Sequence, residues 1–396
     1  MCTERLRIAY IYPRDVNSTR RKEWDGGCSL NPRTDELLHF KHAIIDRKGP
    51  ENPHIKAVGD INGDGFADVV VASSNGGPLV WYEYPDWTKH VIVPSGWWST
   101  DAELADVDGD GDLDIVISDW YVHKRIEWYE NPGPEGDPAT ELWKNHVIGG
   151  PRAHDIEVGD IDLDGHFEIV TRQQAYEGNK IVVWKQSSAA RWAKRTIGCP
   201  IGEGLGVGDV DGDGRLDVVI GGCWYEAPKD ILEESWNEHG FADWTPDAVV
   251  RLADMNKDGR LDVVLTRAEG HYRLSWFGSP DDPKRGWREH WAGGRDSGWI
   301  EHVVDDSVDF AHSLVICDMN DDGLSDIVTA EMHQSPRRRV MVYLNEGDAT
   351  EWRQQVIAVT GSHNLCVADI GNTGKLDLIG ANWSGDHQPI EVWLQT

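Results

Sequence analysis

The stretch DVDGDGDLDIVIS, residues 106–118, sets five aspartates at alternate positions and then runs straight into β-branched residues. Carboxylates that close repel one another and raise each other's pKa unless a cation stands among them. The Ile-Val-Ile run that follows reads as a short buried strand. The pattern is thus an acidic loop feeding a strand, and it recurs. Copies start at residues 60 (DINGDGFAD), 106 (DVDGDGDLD), 160 (DIDLDGHFE), 209 (DVDGDGRLD), 254 (DMNKDGRLD), 318 (DMNDDGLSD) and 369 (DIGNTGKLD). The starts lie 46, 54, 49, 45, 64 and 51 residues apart.

Every copy continues alike. A run such as VVVAS, IVISD or VVIGG comes first, then an aromatic strand such as LVWYEY or RIEWYEN, and often a polar strand such as TKHVIV or KNHVIGG. Four strands per unit at this period are the signature of a β-propeller blade. The fold expected is all-β: a seven-bladed propeller over residues 37–396, with residues 1–36 as an N-terminal arm. The last repeat stops at IEVWLQT after three strands, and LHFKHAIID, residues 38–46, resembles a missing fourth strand. Pairing the two would close the ring and remove its free edges.

Within D-x-D-x-D-G-x-x-D, side-chain oxygens come from positions one, three and five and a carboxylate from position nine. The candidate ligands are Asp60, Asn62, Asp64 and Asp68; Asp106, Asp108, Asp110 and Asp114; and Asp160, Asp162, Asp164 and Glu168. The later loops add Asp209, Asp211, Asp213 and Asp217; Asp254, Asn256, Asp258 and Asp262; and Asp318, Asn320, Asp322 and Asp326. An all-oxygen set of this kind selects calcium before magnesium. Position six is Gly in all seven copies, as a sharp turn with positive φ requires. An EF-hand would continue into a helix, whereas strands follow here. The seventh loop has Gly371 and Thr373 at ligand positions, which leaves about six calcium sites.

These loops resemble those of the FG-GAP or VCBS repeat family, whose calcium-binding blades also build the head of integrin α chains. The resemblance spans roughly residues 38–396 and implies the propeller fold and bound calcium. The Phe-Gly and Gly-Ala-Pro elements of integrins are missing, so adhesion is not implied. Some propellers of this general kind are polysaccharide lyases or sugar dehydratases.

Composition narrows the partners. The net charge is −31, which argues against nucleic acid and anionic membrane. No apolar run is long enough to span a bilayer. The start, MCTERLRIAYIYPRD, has no small-residue cleavage site, so no signal peptide is read and the chain as given suits the cytoplasm. Calcium loops suit an extracytoplasmic setting instead, should the start be truncated. Six cysteines form no CxxC pair, and Cys317 and Cys366 read as plain buried thiols in strands.

All the acidic loops join first to second strands and so share one face of the ring. Function is expected on the other. Six residues before the loops stand His54, Thr100, His154, Glu203, Ala248, His312 and His363. Four histidines in one register far exceed chance for a chain with 16. They should converge at the mouth of the central channel. Adjacent blades six and seven offer His312, Glu331, His333 and His363 as ligands for one transition metal, zinc by preference. His154, Tyr176, Arg172, Tyr121 and Arg267 offer a base and an anion holder for proton abstraction beside a carbonyl. Trp97, Trp98, Trp120, Trp224, Tyr225, His271 and Trp383 offer faces and edges for sugar rings. Two readings follow: a carbohydrate lyase or dehydratase acting on an acidic or keto-sugar by β-elimination, or a non-catalytic calcium-dependent propeller binding glycan or protein. A monomer is expected in either case. No nucleophile-elbow, zincin, Walker or dinucleotide motif competes.

Overall fold

A computed structural model describes residues 37–133, 136–174, 179–188, 191–245, 247–285, 288–289 and 295–396. The arm proposed for residues 1–36, with Cys2 and Cys28, lies outside them. The described residues contain strands and no helix, so no helix among them is long and apolar enough to cross a membrane. Seven antiparallel four-stranded sheets follow one another round a ring. Blade 1 is Pro53–Gly59, Asp68–Ser73, Leu79–Glu83 and Thr88–Val93, read from the channel outward. Blades 2 to 6 repeat that order, their innermost strands being Trp98–Ala105, Asp155–Gly159, Gly206–Gly208, Ala248–Ala253 and Leu314–Cys317. The 64-residue spacing after the fifth loop houses an extra hairpin, Arg288–Glu289 with Arg295–Asp296, between the two outer strands of blade 5.

Blade 7 is composite. Cys366–Ala368, Asp377–Gly380 and Ile390–Gln395 take Phe40–Asp46 as their outermost strand. The register places His42 opposite Trp393, and the two rings stack at 5.5 Å. The same cross-strand pair recurs as Trp81–His90, Trp128–His146, Trp224–His239 and Trp276–His302, all stacked at 4.0–4.4 Å. The N-terminal segment therefore fills its blade by the chemistry the other blades use within one repeat.

Second strands are buried on both faces because each blade packs against two neighbours. Asp68–Ser73, Asp114–Asp119 and Asp326–Ala330 contain no exposed residue. The core lies between blades, as where Val69 and Val71 of blade 1 pack with Ile379 and Val392 of blade 7. Burial on both sides is why these strands read as continuous apolar runs instead of alternating ones. Cys366 ends up half-buried on an innermost strand, its thiol against the Lys56 carbonyl at 3.3 Å.

Candidate functional site

The loop face is built by local turns. The position-six glycines 65, 111, 165, 214, 259, 323 and 374 all have φ between 79° and 104°. Position four is left-handed too, even where it is Leu163, Lys257 or Asp321. The ninth carboxylate acts first as a clamp. In blade 1 the Asp68 oxygens accept the Ile61 and Tyr84 amides at 3.1 and 3.0 Å. Asp114, Asp217, Asp262, Asp326 and Asp377 repeat that double bond. Ligand oxygens of Asp209, Asp211 and Asp217 lie within 4.8 Å of one another, as do those of Asp106, Asp108 and Asp110. Asp209 Oδ1 is buried without a hydrogen-bond partner. Clustered, orphaned oxygens with no softer donor among them fit a hard divalent cation.

Loop three differs. Lys185 Nζ reaches Asp162 at 2.5 Å, Asp164 at 2.7 Å and Glu168 at 3.4 Å, so an ammonium stands among the carboxylates. Lys185 pairs across strands with Glu168; the equivalent places in blades 1, 2 and 4 hold Glu83, Glu130 and Glu226. In loop four Lys284 bridges the ligand-position Asp211 and Glu226 at 2.6 Å each, and Arg215 pairs with Asp213.

On the opposite face, the register residues converge from six blades. His154 Nε2 stands 3.3 Å from Glu203 Oε2, and His312 Nε2 stands 3.4 Å from Glu203 Oε1. His363 stacks on His312 at 4.3 Å between ring centres and meets His54 at 4.4 Å. Trp383 then covers His54 at 4.9 Å. Thr100 contributes a hydroxyl that donates to the His154 carbonyl at 2.6 Å. Gly204 fixes Glu203: its φ is +94°, and a Cβ there would stand 1.8 Å from the Ala248 carbonyl oxygen. Only glycine lets blade 4 approach blade 5 that closely.

The electrostatics divide the imidazoles into two kinds. Burial opposes charge on His154, but Asp155 and Glu203 beside it carry its pKa up to about 9. Burial likewise opposes the Glu203 carboxylate, yet His154 and His312 bring it down to about 2. His54 and His363 are held well below the usual range, chiefly by burial, with Lys56 and His312 respectively the largest charges against them. Deeper in the channel, burial pushes Asp101 up to about 6 and Glu157 up to about 8, and Arg251 pairs with Glu157 at 3.4 Å.

Several expected site residues serve structure instead. Arg172 is 1% exposed and donates to the Gly204 and Pro200 carbonyls at 2.6 and 3.2 Å, tying blade 3 to blade 4. Trp98, Trp224 and Tyr225 are buried in the inter-blade core, and the Tyr225 hydroxyl donates to Glu238. Glu331 is buried and held by Arg339 at 2.6 Å, Arg337 at 2.9 Å and Ser335 at 3.0 Å, so its carboxylate is taken up by cations of its own blade. Tyr176 lies outside the described residues.

The remaining candidates form a rim. Trp97 lies over Gly76, where a Cβ would come within 3.3 Å of the ring, and packs against exposed Tyr121 at 5.2 Å. Arg152 sits 3.9 Å over Trp120, whose ring meets that of His154 in a T-shaped contact at 6.5 Å. His333 is half-buried with its ring edge-on to Trp383, and His271 is exposed. Arg267 is half-buried and its Nε has no hydrogen-bond partner. Glu203 was visible in the histidine register but not as their partner; Asp155 and Gln174, which brace the cluster, carried no signal of their own.

Residues 60–117 and 318–380 match the model of the FG-GAP-like repeat. No curated protein matches the chain. Among solved structures, the crystal structure of the V. cholerae biofilm matrix protein Bap1 aligns at 12% identity over 86% of this chain and 77% of that chain, with a TM-score of 0.36. At that score the likeness says nothing of function. Repeat match and ring topology agree: the chain is a seven-bladed β-propeller, two stretches of which are similar to the FG-GAP-like repeat.

Proposed function

We propose that the chain is a calcium-stabilised propeller that binds carbohydrate at its channel mouth and cleaves it by β-elimination. One observation carries the reading: His54, His154, Glu203, His312 and His363 meet from five blades beneath a rim of Trp97, Tyr121, Trp120 and Trp383. Flat aromatic faces over a polar floor suit sugar rings. Calcium belongs to the other face, where all-oxygen loops would hold it as scaffold.

The roles follow from the two kinds of imidazole. Burial disfavours the charged form of His54 and His363, and an uncharged imidazole is the form that accepts the proton α to a carbonyl or carboxylate. That electron pair forms the C=C bond, the β carbon–oxygen bond breaks, and the departing oxygen takes a proton from solvent or an acid at the rim. Arg267, with a free Nε, is the protein cation suited to hold the enolate. His154 is bonded to Asp155 and faces the Glu203 carboxylate, and is the weaker candidate for the base.

The test is a screen of uronate-containing polysaccharides and keto-sugars, in calcium, for the ultraviolet absorbance of a conjugated C=C–C=O product. Turnover should fall at least about 100-fold in His363→Gln or His54→Gln. Trp97→Ala and Tyr121→Ala should raise KM more than they lower kcat. Sugar binding without product would favour the non-catalytic glycan-binding reading. Neither binding nor product would remove carbohydrate as the partner.

A further inference from the structure

We propose that His154, Glu203 and His312 hold one zinc-class transition-metal ion at the channel mouth, with a coordination position left open toward the rim. Their ligand atoms lie within 4.8 Å of one another, and all three residues are buried. Two donors each about 2.0–2.1 Å from a tetrahedral zinc stand about 3.3–3.4 Å apart. The two His–Glu separations are 3.3 and 3.4 Å. A charged N–H···O bond would close to about 2.7–2.9 Å. Each imidazole thus faces its own oxygen of the Glu203 carboxylate, His154 on Oε2 and His312 on Oε1, across a gap longer than a short charged hydrogen bond. Glu203 Oε1 is buried with no hydrogen bond, 3.4 Å from His312 Nε2.

A supporting shell is in place. His154 Nδ1 lies 3.2 Å from Asp155 Oδ1, which fixes the tautomer that presents Nε2 to a metal. The other Asp155 oxygen accepts the Gly204 amide at 3.0 Å, bracing the residue beside Glu203. Gln174 donates to Glu203 Oε2 at 2.8 Å. Two imidazoles and one carboxylate are the donor set of open zinc sites, while the oxygen-only loops on the far face select calcium. One face would therefore sort hard cations and the other a borderline-soft one. Of the quartet expected from the sequence only His312 remains, because Glu331 is held by Arg339 and Arg337.

This inference goes beyond the elimination reading, since metal content is measured without substrate and either can fail alone. The untagged chain, stripped with chelator and refilled with excess calcium, is titrated with zinc by calorimetry and with cobalt(II) by visible absorbance. One equivalent of zinc should bind, and cobalt should give the intense d–d bands of a four-coordinate nitrogen–oxygen site. His154→Ala and His312→Ala should each weaken zinc at least about 100-fold, and Asp155→Asn about 10- to 100-fold. Calcium content should not change, and His333→Ala should bind zinc as the parent does. No stoichiometric zinc in the calcium-loaded parent would overturn the proposal, as would affinity indifferent to His154→Ala and His312→Ala. Should those variants not fold, the parent's cobalt spectrum decides: no band at one equivalent ends the idea.

Discussion

The two faces of the ring carry their polar residues for opposite physical reasons. On the loop face each cluster comes from nine consecutive residues, and its carboxylates lie together because a glycine turn forces them to. On the mouth face His154, Glu203 and His312 belong to three blades and meet only because the ring closes. The loop clusters are built from carboxylates, with a basic side chain such as Lys185 or Lys284 reaching some of them. The mouth mixes imidazole and carboxylate and is largely self-compensating. A cluster like the loops can thus be written locally, while one like the mouth draws on the whole ring.

The strongest way to break this comparison is to remove the cation. Each loop filled at 100 times its Kd adds about 2.7 kcal/mol to the folded state. Several loops losing calcium together should lower Tm by tens of degrees, followed by thermal unfolding in EDTA against millimolar calcium. A Tm that ignores EDTA would mean the loop face needs no ion.

Next in size is closure. Deleting residues 1–47 removes the strand Phe40–Asp46 and bares the whole Ile390–Gln395 edge. It also removes Asp46, which accepts the Tyr82 hydroxyl at 2.9 Å and pairs with Lys89 at 2.5 Å in the neighbouring blade. The shortened chain should aggregate or unfold without cooperativity, seen by gel filtration and denaturant titration. A monomeric, cooperative product would show that the mouth does not depend on a closed ring.

The same locality decides what could be read in advance. Blade count, the glycine-turn acidic loops and the closing strand were legible because each is a short pattern repeated at a fixed spacing. The histidine register was legible for the same reason. Counting strand ends, however, cannot separate rim from core. Trp98, Trp224 and Tyr225 sit at the margins of strands that neighbouring blades cover on both sides, so they went to the core. Arg172 and Glu331 were satisfied by partners from turns that no periodicity marks. Removing His154 or His312 takes away one of the two imidazoles beside the buried Glu203 carboxylate, at an expected cost of about 1–3 kcal/mol read from denaturation midpoints.

Loop three sharpens the comparison from within the loop face. If Lys185 supplies the cation that the other loops take from solution, Lys185→Met should add one bound calcium per chain, measured by elemental analysis after gel filtration. It should also make Tm more sensitive to EDTA by about one loop's share, near 2.7 kcal/mol at 100 times Kd. A calcium count that stays the same in Lys185→Met would mean the ammonium does not fill that place.

The smallest effect tests the channel between the faces. Lys56 is 4% exposed, donates to the Pro53 and His54 carbonyls at 2.9 and 3.2 Å, and is brought down by burial to about 7. An unfolded lysine holds its proton up to its ordinary value of 10.5. Between those values the unfolded chain binds more protons than the folded one, so this residue makes stability rise with pH. Below pH 7 its penalty is full and constant; above 10.5 it is gone. Glu157 and Asp101, raised to about 8 and 6, act in the opposite direction at lower pH. The difference between parent and Lys56→Met therefore isolates the lysine. The parent should gain on the variant by up to about 1.4 kcal/mol per pH unit between pH 8 and 10. Parallel denaturation midpoints over that range would mean that Lys56 keeps its charge inside the channel, paired with the acids below the mouth.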